Sequence, residues 1–159
     1  MEGMIMNIEK IWIKSIIGFM DQELKKEDMS RILEKCGRGC AFGCGIVAKI
    51  KNANLNPKDP EAVYQLLRGP EFFGGRITKG EDCYYTTCEQ CFCPYVNDSI
   101  AETPGSYCEC TKGWTKQVFE TAFGRPAEVE IEQTIIRGAE YCKMKTRLVE
   151  NGTGNGSDS

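Results

Sequence analysis

Hydrophobic and polar positions change period several times along this chain, and each change marks an expected element. Ile8, Ile11, Trp12, Ser15, Ile16 and Phe19 follow the i, i+3, i+4, i+7 spacing of a single helix face. This predicts an amphipathic helix that packs Trp12 into the core. A second helix is expected from near Asp28 through Ile32, Leu33 and Cys36, running on into Cys36-Gly-Arg-Gly-Cys40-Ala-Phe-Gly-Cys44. Cysteines spaced by four share a helix face. Gly37, Gly39, Gly43 and Gly45 each cost a helix about 1 kcal/mol relative to Ala. So much glycine implies close approach of another backbone or a ligand, or a broken helix. A thiol-lined wall and a tightly packed small-residue face are both open for Cys36 and Cys40; Cys44 is expected to pack. After a connector over 52–57, Asp59 is placed as an N-cap and Pro60 in the first helical turn. Val63, Leu66 and Leu67 supply that helix's apolar stripe, and Gly69-Pro70 closes it.

The period then shortens to two. Residues 72–87 are expected to form a hairpin with a Gly80-Glu81 turn, pairing Lys79 with Asp82 and Ile77 with Tyr84. A short strand is expected over 107–110, then a helix over 111–123 with Trp114, Val118 and Ala122 on one face and Gly124 and Pro126 at its end. Over 127–149, Val129, Ile131 and Ile135 alternate with Glu128, Glu130, Glu132 and Thr134. Cys142, Met144, Thr146 and Leu148 alternate with Lys143, Lys145 and Arg147. A turn at Gly138-Ala139 would pair Glu132 with Lys145, Glu130 with Arg147, Val129 with Leu148 and Ile135 with Cys142. Apolar pairs then fall on one face and opposite charges on the solvated face. The fold class is α+β: a mostly antiparallel sheet of about five strands, with N-terminal helices and one later helix packed on one face. Residues 1–150 make a single domain, followed by a disordered tail over 151–159.

Composition narrows the function classes. With 159 residues, 41% hydrophobic and 27% charged, the chain is an ordinary soluble domain in its make-up. A net charge of −3 gives no basic surface for nucleic acid. There is no histidine, so imidazole is excluded as ligand, base or nucleophile partner. Glu9, Lys10 and Lys14 interrupt the apolar N-terminus, which is therefore expected to be neither a secretory signal nor a membrane span. A cytoplasmic protein with reduced thiols follows, and the sequons at Asn151 and Asn155 carry no meaning there.

Against that background the ten cysteines change the picture most. Cys83, Cys88, Cys91, Cys93, Cys108 and Cys110 crowd into a fifth of the chain, as a CxxC and two CxC pairs. On a strand, residues two apart point the same way. Two adjacent strands would thus converge four or five thiols, enough for zinc or an iron–sulfur cluster. The expected ligands are Cys88, Cys91, Cys93, Cys108 and Cys110. Buried free thiols acting as small hydrophobes are the alternative; a disulfide framework would need an oxidising compartment. Cys108 and Cys110 stand before a helix N-terminus, whose dipole is expected to lower their pKa.

The C-terminal half resembles the vinyl-reductase-type domain, a small-molecule or hydrocarbon-binding superfamily. The residues that carry this are Tyr107-Cys108-Glu-Cys110, Gly113-Trp114, Gly124-Arg-Pro126, Val129-Glu-Ile131, Arg137-Gly138 and Tyr141-Cys142. The closing segment is similar to the L-2-amino-thiazoline-4-carboxylic acid hydrolase family. The Cys36-Gly-Arg-Gly-Cys40-Ala segment points to a cysteine-rich prokaryotic branch. Met144 stands where the closing motif has Phe. The resemblance implies a ligand pocket between sheet and helices, often in a homodimer, with a small-molecule ligand as partner; charge and hydropathy lead us to expect no nucleic-acid or membrane partner. Three functions are therefore open. One is a thiolate metal-binding sensory or ligand-binding domain. Another is a hydrolase using a Cys108 or Cys110 thiolate with Glu109 or Glu140 as acid/base. The last is a metal-free apolar-ligand module.

Overall fold

A computed structural model describes residues 8–91, 93, 95–96 and 100–150. The expected tail with its sequons, Pro94 and residues 97–99 lie outside the described residues. Four helices come first: α1 (Ile8–Glu23), α2 (Lys26–Gly43), α3 (Ile46–Asn52) and α4 (Pro60–Leu67). Strands β1 (Ile77–Lys79) and β2 (Tyr84–Cys88) follow, then α5 (Cys108–Phe123), β3 (Ala127–Gln133) and β4 (Cys142–Leu148). The sheet is antiparallel in the order β1-β2-β4-β3, so the fold class is α+β as expected. It has four strands among the described residues, because 107–110 is not a strand: α5 already begins at Cys108.

Local chemistry accounts for the helix boundaries. The Asp59 carboxylate accepts the Ala62 N–H at 3.1 Å and Pro60 opens α4, as the capping pattern required. Gly45, with φ +80°, separates α2 from α3, a backbone state that glycine adopts without strain. Gly124 ends α5 in the same left-handed region.

Helix α2 is unbroken despite its glycines, and the reason is its partner. A methyl group at Gly37 would run into the Cys110 carbonyl, and one at Gly113 into the Glu34 carbonyl. The two helices cross with backbone against backbone. Charged side chains fasten the crossing: Arg38 Nη1 donates to Glu120 Oε2 at 2.6 Å and to Gln117 Oε1 at 3.0 Å, and Lys116 Nζ donates to Glu34 Oε1 at 3.0 Å. The other side of α5 faces the sheet. Val118, Phe119, Ala122 and Phe123 join Ile77, Tyr84 and Ala127 in the main core, to which α3 and α4 add Val47, Ile50, Val63 and Leu67. A smaller core gathers Ile17, Met29, Leu33, Val96 and Tyr107, with Cys91, Cys93 and Cys110 packed against it.

Three expectations are corrected. Trp12 is not core: it is 66% exposed, because α1 turns Ile17 inward instead. In the first hairpin Ile77 pairs with Thr86 and Lys79 with Tyr84, so the loop is Gly80–Cys83, closed by Gly80 N–H to the Cys83 carbonyl at 2.8 Å. In the second, Glu128 pairs with Arg147, Glu130 with Lys145 and Val129 with Thr146, with an irregularity between Ile131 and Gln133. Both registers differ from expectation by two residues. The second slips because 135–137 form a 3-10 turn before Gly138, lengthening the connection.

Replacing Gly37 or Gly113 by Ala is expected to cost about 3 kcal/mol of stability through forced separation of the helices. Gly39→Ala, where an added methyl meets nothing within 4 Å, should instead gain about 1 kcal/mol. Urea denaturation of the three variants checks this; equal effects at Gly37 and Gly39 would contradict the close crossing.

Candidate thiol site

The CxC at Cys108 and Cys110 occupies the first turn of a helix, not a strand. Successive helical residues rotate by about 100°, so residues two apart diverge by roughly 200°. The two thiols therefore leave α5 in opposite directions rather than sharing a face. Cys110 is packed against the smaller core, near Cys36, Cys40 and Cys93. Burial, reinforced by these thiols, pushes it up to about 12. Cys108, 5% exposed, lies near Cys142 and Cys91. Cys88, the end of β2, stands directly opposite Cys142, the start of β4. Cys91 and Cys93 lie outside helix and strand on the segment between β2 and α5.

Electrostatics in this region runs against the helix-dipole expectation. Burial raises the thiol pKa of Cys88, Cys91 and Cys108, and neighbouring cysteines raise each further. Opposing pulls come from Arg76 at Cys88, from the Cys93 backbone at Cys91, and from the Thr134 hydroxyl and Arg137 at Cys108. Burial also raises Cys40, with help from Cys44 and Cys93. Desolvation of the charged form is the largest cause at each of these thiols. Polar contacts hold individual sulfurs: the Tyr107 hydroxyl lies 3.0 Å from Cys93 Sγ, and the Ile135 N–H donates to Cys142 Sγ at 3.3 Å. Burial and this contact raise the Tyr107 phenol.

Of the cysteines outside the expected ligands, Cys36, Cys40 and Cys142 belong to this region. The i+4 spacing and the inward alternation of Cys142 carried that signal. Tyr107, Thr134 and Ile135 had none, because their relation to sulfur arises only on folding. Cys83 is buried on the far loop of the first hairpin, and exposed Cys44 bonds back to the Ala41 carbonyl at 3.6 Å. All ten cysteines are free. Among the described residues no group of three or more cysteines, aspartates or glutamates is placed so that it could hold a metal ion. Glu109 is committed elsewhere: it accepts from Ser30 Oγ at 2.9 Å and pairs with Lys112 at 3.4 Å and Arg137 at 3.6 Å. Beside β3 an open groove is lined by Lys112, Lys116, Lys145 and Arg147 together with Glu128, Val129 and Glu130. No helix among the described residues is long and apolar enough to cross a membrane.

The raised Cys110 value has a pH consequence. Its folded pKa, about 12, lies above its ordinary value of 9.0, so the stability it contributes is in place below pH 9 and is lost as pH rises towards 12. Chemical denaturation at pH 7, 9 and 10.5 should show this decline, and Cys110→Ser should flatten it.

A crystal structure of trafficking protein particle complex subunit 3 from Naegleria fowleri, covalently bound to palmitic acid, has a similar fold. Its TM-score is 0.55 at 12% identity, with 91% of this chain and 97% of that chain covered. No curated protein matches the sequence. Neither the solved structure nor the family match names the vinyl-reductase type or the thiazoline-carboxylate hydrolases. A family model described as "Family of unknown function (DUF6144)" matches residues 3–152, nearly the whole chain, and the protein belongs to that family.

Proposed function

We propose that this chain is a cysteine-thiolate metal-binding domain, holding zinc or an iron–sulfur cluster, that works as a small-molecule-binding or sensory module in the cytoplasm. One observation carries the reading: thiols from α2, β2, the following loop, β4 and the first turn of α5 gather in one region. The expected ligands Cys88, Cys91, Cys93, Cys108 and Cys110 all belong to it. Thiols that are buried together are held neutral when no cation is present. A bound metal ion reverses that balance, turning mutual repulsion into shared coordination. The Ile135 N–H on Cys142 and the hydroxyls of Tyr107 and Thr134 near Cys93 and Cys108 are the kind of donors that tune metal-bound sulfur.

A second reading is an apolar-ligand module of the vinyl-reductase type, acting as a homodimer. The fold similarity to a subunit that carries palmitic acid favours it; the charged lining of the groove beside β3 weighs against that groove as its pocket. The hydrolase reading has less behind it. A Cys110 thiol held up to about 12 is a poor nucleophile at neutral pH, and Glu109 is already paired with two cations.

Elemental mass spectrometry and a visible spectrum of protein purified without oxygen or chelator test the proposal. Zinc without colour, or iron with broad visible absorption, is expected. Stripped protein at pH 7 should release about four protons for each zinc that four thiols bind, with affinity falling as pH is lowered. Protein with neither metal, and all ten cysteines titrating as free thiols, would overturn it.

A further inference from the structure

We infer that α1 is a self-association surface. Its outward stripe of Ile8, Ile11, Trp12, Ser15 and Phe19 packs against the same stripe of a second copy of this chain, in an antiparallel twofold pair. The inference is independent of the thiolate reading, because the stripe holds no cysteine and the pairing needs no metal.

Helix α1 is apolar on two sides. Ile13, Ile17 and Met20 face the smaller core. At about 100° of rotation per residue, Ile8, Ile11, Trp12, Ser15 and Phe19 fall within an arc of about 100° on the side opposite Ile17. There Ile8 is 76% exposed, Trp12 66%, Phe19 65% and Ile11 45%. No charged side chain interrupts the arc; Glu9 and Glu23 stand at its edge. A helix that is apolar on opposite sides is ordinarily covered on both. Four large apolar side chains in one continuous stripe mark a contact surface, unlike hydrophobic residues scattered singly. The spacing that reads as a core-facing stripe in the sequence is thus left uncovered within one chain.

Area, shape and charge select a second copy as the occupant. The four large side chains offer on the order of 500 Å² of apolar surface. A standard interface buries about 800 Å² per partner, of which about two-thirds is apolar in homodimers. The stripe therefore matches the apolar centre of one such interface. It is also self-complementary. Ser15 is the small residue at its middle, and a Cβ added at nearby Gly18 would meet nothing within 4 Å, so two α1 helices can approach closely there. With a twofold axis at Ser15, Trp12 of one copy falls beside Phe19 of the other, and the symmetry makes this aromatic pair twice. A membrane surface fits less well. An interfacial helix carries a polar face rich in Lys and Arg, whereas α1 sets Glu9, Asp21 and Glu23 against Lys10 and Lys14, and Lys14 pairs with Glu102 at 3.9 Å.

The test is sedimentation velocity of the full chain, kept reduced and free of metal, across micromolar concentrations. A species of twice the chain mass is expected, dissociating on dilution. Trp12→Glu and Phe19→Glu, both at exposed positions, should each raise the dimer dissociation constant about 100-fold, as loss of a central aromatic anchor does, with circular dichroism unchanged. Trp12→Ala replaces Trp12→Glu if the latter does not fold, and should weaken the dimer about tenfold. Phe42→Glu, at an exposed apolar residue of α2, should leave the dimer intact. A wild-type chain that is monomeric throughout overturns the inference. So does a dimer that survives both stripe variants, or one that Phe42→Glu dissociates equally. A monomer that floats with phosphatidylserine-rich vesicles and loses this with Trp12→Glu assigns the stripe to a membrane and also overturns it. Metal content is read separately, so the thiolate reading stands or falls on its own.

Discussion

The contact of α2 with α5 is the constraint on which the remaining structure depends. Gly37 meets the Cys110 carbonyl and Gly113 meets the Glu34 carbonyl, so neither position tolerates a Cβ. The stabilisation comes from packing two helices at unusually short range, where many weak dispersion contacts add up. It offsets the helix cost of the glycines, which is why α2 runs unbroken to Gly43. Arg38 and Glu120 then fix the rotation of one helix on the other. Burial pushes the Glu120 carboxyl up, but Arg38 and the Ala127 N–H outweigh it and hold it below its ordinary value. The same carboxylate thereby ties the crossing to the first residue of β3.

That contact also sets the chemistry. Because the crossing falls at Cys110, thiols at Cys36 and Cys40 are delivered beside it from a distant part of the sequence. Because α5 starts at Cys108 and not after Cys110, the second thiol of the pair turns towards β2 and β4. A strand over 107–110 would have put both sulfurs on one face and joined them to one group. The helical start instead sends the two sulfurs away from one another. Burial removes water from these thiols, and desolvation of the thiolate is the main reason their pKa values rise.

The sheet teaches a related lesson about what alternation can carry. In both hairpins the pairing differs from the expected one by two residues up to the irregularity after Ile131, yet the paired strand residues before it keep their expected faces. Beyond it Thr134, expected on the solvated face, is buried, and Ile135 enters the 3-10 turn. A period of two fixes face and says nothing of shifts by an even number. Those are decided by the loops, here a four-residue Gly80–Cys83 connection and a 3-10 turn before Gly138. Charge complementarity survives the shift because Glu and Lys or Arg recur along both strands: Glu128 meets Arg147 and Glu130 meets Lys145.

By itself the sequence determined the α+β class, the capped start of α4, the helix through the Cys36–Cys44 segment, the inward and outward faces of the strands and the concentration of thiols. All of these are local: caps, periodicity and spacing act within a few residues. The tertiary structure decided the rest. Trp12 lies on an apolar stripe, but whether a stripe is covered depends on which partner the helix meets. Cys36, Cys40 and Cys142 join the thiol region only because α2 crosses α5 at a glycine and β2 pairs with β4. The state of 107–110 as helix was settled by docking against α2 and the sheet, since Cys-Glu-Cys is compatible with either conformation until a neighbour selects one.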